Sequence, residues 1–371
     1  MQPQLLLILH MPPPIHGAAQ VGKFIHDSLY INQAFRCTYI NLATSRSMED
    51  LGKFSFLKIF FTLRVLSRIL WELLTVRPEL CYMTFATTGF AFYKDITIIA
   101  LLRLFRKKVL FHFHHQGVRH QSERHAWKAR VFRWALDHSN TNILLLSPHL
   151  YHDVAAIVKP EQVLYCANGI AETSTGTTKT TAAANKPVQL LFLSNMLRSK
   201  GMDILVEACS LLHKKGLSFF CHFVGDWKDT SASEFERLLQ QKELSNHAKA
   251  YGKKTGAEKE AFYDRADIFV HPTLNDAFPL VLLEAMQHEL PVVSTFEGAI
   301  PEIVADGESG FLVPKNDAAA LAGKLEALMG DPALRKQMGK KGRALYEEKF
   351  TIHQFEQRFV TVIKQALVSP S

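Results

Sequence analysis

The sequence of 371 residues is 47% hydrophobic and 21% charged, which is the composition of a globular protein and excludes collagen-like repeats and extensive disorder. At about 150 residues per domain, this length predicts two globular domains. The net charge of +8 is unevenly distributed, with a balance of +10 over residues 1–150 and −2 over the remainder. The N-terminal half is therefore expected to face an anionic partner, such as a membrane, a nucleic acid or an acidic substrate.

The five cysteines are scattered and form no C-x-x-C pair, which argues against a disulfide framework or a structural zinc site and predicts a reducing compartment. The opening MQPQLLLILH is a poor secretory signal because no basic residue precedes its short apolar run. No stretch approaches the roughly 18 apolar residues of a membrane span. We therefore expect a cytoplasmic protein whose membrane contact, if it has one, is peripheral.

Apolar runs alternate with helical patterns along the first half of the chain, which predicts parallel βαβ units. In chain order these are QLLLILH, a helix near 18–31, CTYINL, a helix near 54–76, LCYMTF, a helix near 89–106, KVLFHFH, ILLLS and QVLYCANG. Residues 172–186 follow, and their Thr, Ala and Ser residues without periodicity predict a flexible linker.

A second series of βαβ units occupies the C-terminal half. It comprises PVQLLFLSN, a helix at 201–214, SFFCHFVG, a helix near 232–242, AKAYG, a helix near 256–265, DIFVHPT, the helix LVLLEAMQHE, and the strands PVVST and FLVP. The predicted fold class is α/β, with doubly wound Rossmann-like domains at 1–171 and 187–351 facing across a cleft. A last helix at about 352–368 is a candidate to cross back onto the first domain. Neither a G-x-G-x-x-G nor a G-x-x-x-x-G-K-[ST] motif is present, which argues against dehydrogenases and P-loop enzymes.

The segment HPTLNDAFPLVLLEAMQHELPVVST contains the most informative residues. Asp276 precedes a helix whose first turn tolerates Pro279, and Glu284 falls within that helix. A helix N-terminus favours a phosphate, and nearby carboxylates can accept hydrogen bonds from sugar hydroxyls. The alternative is that Asp276 only caps the helix and that Glu284 is a solvated side chain.

This segment resembles the motif of an acid, seven residues and a second acid in the retaining GT-B glycosyltransferases of family four. Further matches are PPPIHGAAQ, HFHHQG, ANG, FLSNMLRSKGMDILVEA, FVGDW and GAIPEIVADGESGFLV. The resemblance implies transfer of a sugar from a nucleotide-sugar donor to a saccharide or lipid-linked saccharide. It further implies a product that is a bacterial cell-surface polysaccharide, such as lipopolysaccharide, and no cofactor or metal ion.

The resemblance also implies roles for individual residues. Glu284 matches the acid that receives the ribose hydroxyls, Asp276 the acid beside the donor sugar, and Lys200 the cation that holds the diphosphate. The implied catalytic residues are His114, Arg198, Lys200 and Asp276. The implied donor-binding residues are Gly17, Asn195, Arg198, Lys200, Asp276, Phe278, Leu280, Val281 and Glu284.

The chain departs from the family pattern in several places. Ser194 and Asn195 replace the usual Gly-Arg pair, Asp276 replaces Glu, and Pro279 replaces Gly and removes a backbone donor. For His114, a core position and a zinc site remain alternatives to a site facing the donor sugar. The loop at Gly17 is either a ligand-binding loop or an ordinary turn between a strand and a helix.

The physical case for a cationic donor site stands beside the resemblance. A departing nucleoside diphosphate gains negative charge, which Lys or Arg beside a helix N-terminus stabilises. No D-x-D triplet is present to chelate a divalent ion, so we expect no metal. No carboxylate nucleophile is evident on the cleft side of the first domain, which favours a same-face, substrate-assisted transfer over a double displacement.

The helix near 54–76 separates charged from apolar residues, and RLFRKK and RHAWKARVFRW add basic and aromatic character to the same half. This pattern indicates an anionic membrane surface as a further partner, although an ordinary helix packed on a sheet shows it too. A pI of about 9.1 leaves a nucleic-acid-binding protein as a weaker rival. A relative that binds a nucleotide sugar without transferring it is a second rival.

Overall fold

The computed structural model describes residues 2–13, 16–42, 56–173 and 186–368, with only the backbone at 56–58. Most of the predicted linker and two residues of the PPPIHGAAQ loop lie outside this range. The chain divides into two compact units, Met1–Asn168 with Ile352–Ser371, and Gly169–Thr351.

A six-stranded parallel sheet forms the centre of the first unit. Its strands, in chain order, are β1 Gln4–Leu9, β2 Arg36–Asn41, β3 Leu80–Thr84, β4 Lys108–His112, β5 Thr141–Leu145 and β6 Val163–Tyr165. The spatial order is β2-β1-β3-β4-β5-β6, and every neighbouring pair is parallel. Helices cover both faces of a parallel sheet, which explains why β1 and β3 are near-continuous apolar runs and not alternating ones.

The helices between these strands lie close to their predicted positions, with one break. They are α1 Gly17–Asp27, α2 Leu29–Ala34, α3 Phe56–Thr75, α4 Gly89–Leu104, α5 Val118–Arg124 and α6 Ala126–Leu136. The single helix predicted near 18–31 is interrupted at Ser28, whose backbone is extended and whose hydroxyl accepts from the Ile31 amide. Serine favours this capping role over a helix interior.

The second unit is built on another six-stranded parallel sheet. Its strands are β7 Val188–Leu193, β8 Phe219–Val224, β9 Ala248–Ala250, β10 Ile268–His271, β11 Val292–Thr295 and β12 Gly310–Val313. Its helices are α7 Met202–Lys214, α8 Ala232–Gln241, α9 Gly256–Arg265, α10 Leu280–Gln287, α11 Ile300–Ile303, α12 Ala318–Gly330 and α13 Pro332–Lys349. The spatial order β12-β11-β10-β7-β8-β9 reverses direction between β7 and β10. Ligands of doubly wound sheets bind beyond the carboxyl ends of the strands at such a point.

The last helix, α14 Ile352–Val368, belongs to the first unit and not to the unit that precedes it in the chain. Phe355, Phe359 and Ile363 are buried with Leu5 and Leu7 of β1. The boundary before the second unit lies at Asn168, because the Ile170 amide donates to the Phe350 carbonyl at 3.0 Å. The predicted fold class, two Rossmann-like units with parallel sheets, is confirmed.

Candidate active site

The loops after β7 and β10 bring together an ion pair at the switch point of the second sheet. Lys200 ends a short 3-10 turn after β7, and Asp276 lies in the loop between β10 and α10. The Lys200 Nζ lies 2.6 Å from Asp276 Oδ2 and 3.0 Å from the Asn275 carbonyl oxygen. Their side chains are 20% and 19% exposed, so the pair is partly shielded from water yet remains accessible to a ligand.

A third group, His271 at the end of β10, also faces Asp276. Its Nε2 lies 3.4 Å from Asp276 Oδ2. Burial raises the pKa of Asp276, but the hydrogen bond from His271 and the charge of Lys200 outweigh it, so the pKa lies below its ordinary value. Asp276 is therefore a carboxylate at neutral pH, and the positive charge of Lys200 is already balanced.

Pro279 occupies the N-cap position of α10 and makes no side-chain cap hydrogen bond. Asp276, three residues before it, contacts Lys200 and His271. The first turn of α10 contains Leu280 and Val281, both half-buried, and the ring of the preceding Phe278 is buried against Phe350.

Glu284 lies in the next turn of α10 and is held by two side chains of α9. Lys259 Nζ lies 2.8 Å from Glu284 Oε1, and the Tyr263 hydroxyl donates to Oε2 at 2.7 Å. Burial and the charge of Glu284 raise the pKa of Tyr263, so the phenol stays protonated and remains a donor. Glu284 is thus a fixed carboxylate and not the solvated side chain of the alternative interpretation.

Arg198 and Asn195 lie close in sequence to Lys200 but differ from it in their contacts. The Arg198 side chain is 71% exposed, and its Nη1 lies 3.5 Å from Asp203 at the start of α7. Asn195 is half-buried. The backbone of Ser194 and Asn195 lies so close to Gly225 that a Cβ atom on Gly225 would not fit. The structure thus joins Lys200 and Asp276, whereas the guanidinium of Arg198 is directed at Asp203.

In the first unit, His114 follows the end of β4 and packs on a second histidine. The ring centroids of His114 and His112 are 3.9 Å apart, and the Tyr82 hydroxyl lies 2.5 Å from His112 Nδ1. Burial lowers the pKa of His112 to about 3 and, with the neighbouring histidines, holds that of His114 well below its usual value. Both imidazoles are therefore neutral, and the buried Nε2 of His114 has no hydrogen-bond partner among the described residues.

Gly17 begins α1, directly after His16, whose Nδ1 accepts from the Ala19 amide at 3.3 Å. No described atom lies within 4 Å of a Cβ atom built at Gly17. None of the described residues therefore blocks the approach of a ligand to this helix start. In the described part of the chain, no group of three or more His, Cys, Asp or Glu side chains is arranged to hold a metal ion.

Sequence reasoning missed Lys259, Tyr263 and His271. Lys259 and Tyr263 are four residues apart, so the sequence predicts only that they share a face of α9. That they contact α10 depends on the packing of two helices separated by a strand. His271 was visible only as the residue at a strand end.

Much of the apolar face predicted on the helix near 54–76 is exposed on α3. Its exposed members include Phe60, Leu63, Leu70, Trp71 and Leu74, which we call the α3 surface; Phe60 is 63% and Trp71 65% exposed. Ile69 and Leu73 are buried and pack the helix against its unit. The predicted apolar face is therefore partly packed, through Leu73, and partly exposed. No helix in the described part of the chain combines the length and apolar character that crossing a bilayer requires.

Comparison with known proteins identifies the second unit. Residues 177–345 match the family model described as glycosyl transferases group 1. The matched range covers most of the second unit. The chain is 32% identical to WcaL of Salmonella typhimurium, which is named as a colanic acid biosynthesis glycosyltransferase, over 45% of this chain and 42% of that one. It is 32% identical to the amylovoran biosynthesis glycosyltransferase AmsK of Erwinia amylovora, over 46% and 43% of the two chains. The chain thus matches less than half the length of these relatives.

Solved structures extend the likeness of fold to the first unit. Sucrose-phosphate synthase from Thermosynechococcus elongatus superposes with a TM-score of 0.73 at 20% identity, covering 98% of this chain and 99% of that one. Anabaena HepE in complex with UDP and glucose gives 0.72 at 17% identity, with 98% and 99% coverage. These superpositions show that the chain has the GT-B fold.

The glycine after Lys200 provides a test of how the ion pair is placed. Gly201 has a φ of 78°, and a Cβ atom there would lie 1.9 Å from the Pro272 carbonyl oxygen. Gly201→Ala is expected to destabilise the protein by more than the roughly 1–2 kcal/mol of a left-handed alanine, because the loop after β10 must also move. Gly216→Ala is the matched control, since Gly216 has a φ of 73° and no described atom within 4 Å. Equal losses in urea unfolding would contradict the close approach.

Proposed function

We propose that this chain is a retaining, metal-independent glycosyltransferase that moves a sugar from a nucleotide-sugar donor to a saccharide or lipid-linked saccharide acceptor. The product would be a bacterial cell-surface polysaccharide. The observation that carries the proposal is the Lys200–Asp276 pair at the switch point of a group 1 glycosyl transferase unit. The names of relatives in colanic acid and amylovoran biosynthesis support the product class.

In the proposed donor complex, Lys200 and the N-terminus of α10 bind the diphosphate, and Arg198 adds a second cation from the exposed side. Glu284 accepts from the ribose hydroxyls, and Asp276 lies beside the sugar. Phe278, Leu280 and Val281 complete this binding surface around the start of α10. Asn195 borders it from the loop after β7.

The transfer we propose occurs on one face of the sugar. The bond between the anomeric carbon and the diphosphate oxygen breaks, and the acceptor oxygen forms the new bond to the same carbon from the same side. The acceptor's proton passes to the departing phosphate oxygen, whose growing charge Lys200 stabilises. Anomeric configuration is thereby retained without a protein nucleophile.

His114 and Gly17 would contribute from the first unit. A neutral imidazole with an unpartnered Nε2 can exchange a hydrogen bond with a sugar hydroxyl without adding charge to the reaction. The open backbone at Gly17 would admit the close approach of a donor or acceptor group. His114 is therefore assigned a catalytic role through contact with the transferred sugar.

The acceptor is proposed to lie at the anionic inner face of the cytoplasmic membrane, to which the protein binds peripherally. The α3 surface offers apolar and aromatic side chains, and the exposed Arg64 and Arg68 lie on the same helix. On α6, Trp127 and Trp134 are exposed beside the exposed Arg130 and Arg133. Exposed aromatics beside arginines match a membrane interface.

The structure revises which basic residues are available for such contact. Lys107 donates to the Pro78 carbonyl and Lys108 to the Leu367 carbonyl, at 3.0 and 2.9 Å. Arg103 lies over the Trp134 ring at 4.7 Å. The exposed arginines of α3, RLFRKK and RHAWKARVFRW are therefore Arg64, Arg68, Arg106, Arg124, Arg130 and Arg133.

Enzyme assays test the function directly. We expect one nucleotide sugar of a panel to stabilise the protein against heat, by about 2.7 kcal/mol at 100 times its dissociation constant. The same donor should give a product whose anomeric configuration, read by NMR, is that of the donor.

Lys200→Ala should lower turnover about 100- to 1,000-fold, because Lys200 stabilises the negative charge that grows in the transition state.

Lys214→Ala, at an exposed lysine near the end of α7, is the control and should leave turnover unchanged. Near-normal turnover in Lys200→Ala would remove Lys200 from the mechanism. Donor binding without transfer to any acceptor would favour the non-catalytic relative. An inverted product would contradict the same-face transfer.

Metal independence has its own test. Activity should persist in excess EDTA, because Lys200, Arg198 and the α10 N-terminus supply the positive field that a divalent ion would otherwise supply. Turnover is measured before and after addition of EDTA and then of magnesium or manganese. Complete loss that either ion restores would contradict this account of the donor site.

Membrane binding is tested by sedimentation with liposomes. The protein should bind vesicles containing phosphatidylglycerol more than neutral ones, and added salt should weaken binding. Arg64→Gln and Arg68→Gln should each cost about 1 kcal/mol of binding. Lys340→Gln and Lys341→Gln, in the second unit, should cost nothing.

The apolar contribution is measured with Trp71→Ser, which should reduce sedimentation with anionic vesicles. Its control is Phe296→Ser, because Phe296 is an exposed aromatic residue of the second unit. Equal recovery in the supernatant with anionic and neutral vesicles would indicate an acceptor that is not at a membrane.

A further inference from the structure

The orientation of the Glu284 side chain is fixed, because side chains of α9 contact each of its two carboxylate oxygens. Lys259 reaches Oε1 and Tyr263 reaches Oε2, at 2.8 and 2.7 Å. Tyr263 is fully buried, and the Lys259 and Glu284 side chains are largely so. One partner per oxygen determines the rotation of the carboxylate about its terminal bond.

The two contacts leave the carboxylate able to bind a ligand. An ionised carboxylate offers about four acceptor positions, of which two are used here, so one remains on each oxygen. Lys259 balances the charge of a carboxylate that would otherwise be buried and unpaired. A pair of neighbouring hydroxyls is the ligand that fits two remaining acceptor positions on adjacent oxygens.

A second set of contacts holds α9 in place against α10. The ring of His288, at the end of α10, lies between Glu260 and Asp264, with both nitrogen-to-oxygen distances at 2.9 Å. The same ring stacks on Tyr263, with centroids 5.1 Å apart and planes 16° apart. Lys259, Glu260, Tyr263 and Asp264 thus share one face of α9, which is directed at α10.

We infer that Lys259 and Tyr263 are positioning residues that orient Glu284 for a cis-diol and thereby make the site selective for ribonucleoside over 2′-deoxyribonucleoside diphosphates. This inference rests on the proposed function, in which Glu284 receives the ribose. It adds that the selectivity for ribose depends on α9, which need not contact the ligand itself.

The test is calorimetric titration of the full chain with UDP, GDP and ADP, and with the 2′-deoxy counterpart of whichever binds most tightly. The wild type should prefer the ribonucleotide by about tenfold or more, because a missing hydroxyl leaves a buried acceptor unpaired. Glu284→Gln should weaken this preference. Tyr263→Phe and Lys259→Met should reduce it to less than about threefold, chiefly by weakening ribonucleotide binding.

Matched controls remove the same groups elsewhere in the second unit. Tyr251→Phe removes a hydroxyl that lies 3.1 Å from His222 Nδ1, and Lys254→Met removes an ammonium paired with Glu258. Both should keep the wild-type preference. Lys259→Arg keeps a cation at the position and should retain most of it, which a general loss of packing would not predict.

The outcomes separate the inference from the function it rests on. A wild type that binds none of the three diphosphates, or binds ribo and deoxy forms equally, overturns the proposed role of Glu284 and the inference with it. A preference that Glu284→Gln abolishes but Tyr263→Phe and Lys259→Met retain overturns the inference alone. Should Tyr263→Phe fail to fold, Lys259→Met decides, since its side chain lies nearer the surface.

Discussion

The parallel direction of the strands is the constraint on which the candidate site depends. In a parallel sheet all strands end at one edge, so loops distant in sequence meet there. In the second sheet β7 and β10 are neighbours at the reversal of strand order, which brings Lys200 within 2.6 Å of Asp276 although 76 positions separate them. Gly201 then fixes the approach, since its Cα lies against the Pro272 carbonyl.

The charges at this edge are arranged to be balanced before any ligand arrives. The Lys200 side chain is only one-fifth exposed, so its ammonium has lost much of its solvation. The ion pair with Asp276 offsets this cost. We propose that a diphosphate shares or replaces this carboxylate as the partner of Lys200. The ammonium then needs little rearrangement as the leaving group gains charge, which is the condition for electrostatic stabilisation of a transition state.

The charge of Glu284, one turn into α10, is also balanced by a lysine before any ligand binds. Its carboxylate is balanced by Lys259 and oriented by Tyr263, and His288 anchors the helix that carries both. In the first unit, by contrast, the histidines His112 and His114 at the end of β4 are neutral. We propose that charge acts on the diphosphate from the second unit, whereas the first contributes uncharged hydrogen bonding to the sugar.

The sequence by itself determined the fold class, because apolar runs such as QLLLILH and DIFVHPT alternate with helical patterns, and this alternation is typical of parallel βαβ units. The sequence also singled out Lys200, Asp276 and Glu284, because each lies in a short segment that resembles a motif of the family. It did not determine the partners of these residues. The packing of distant elements sets the contacts from α9 to Glu284, the ring contact of His114 with His112, and the exposure of the α3 surface. An amphipathic pattern shows that a helix has two faces, but only the tertiary structure decides which of them meets the core.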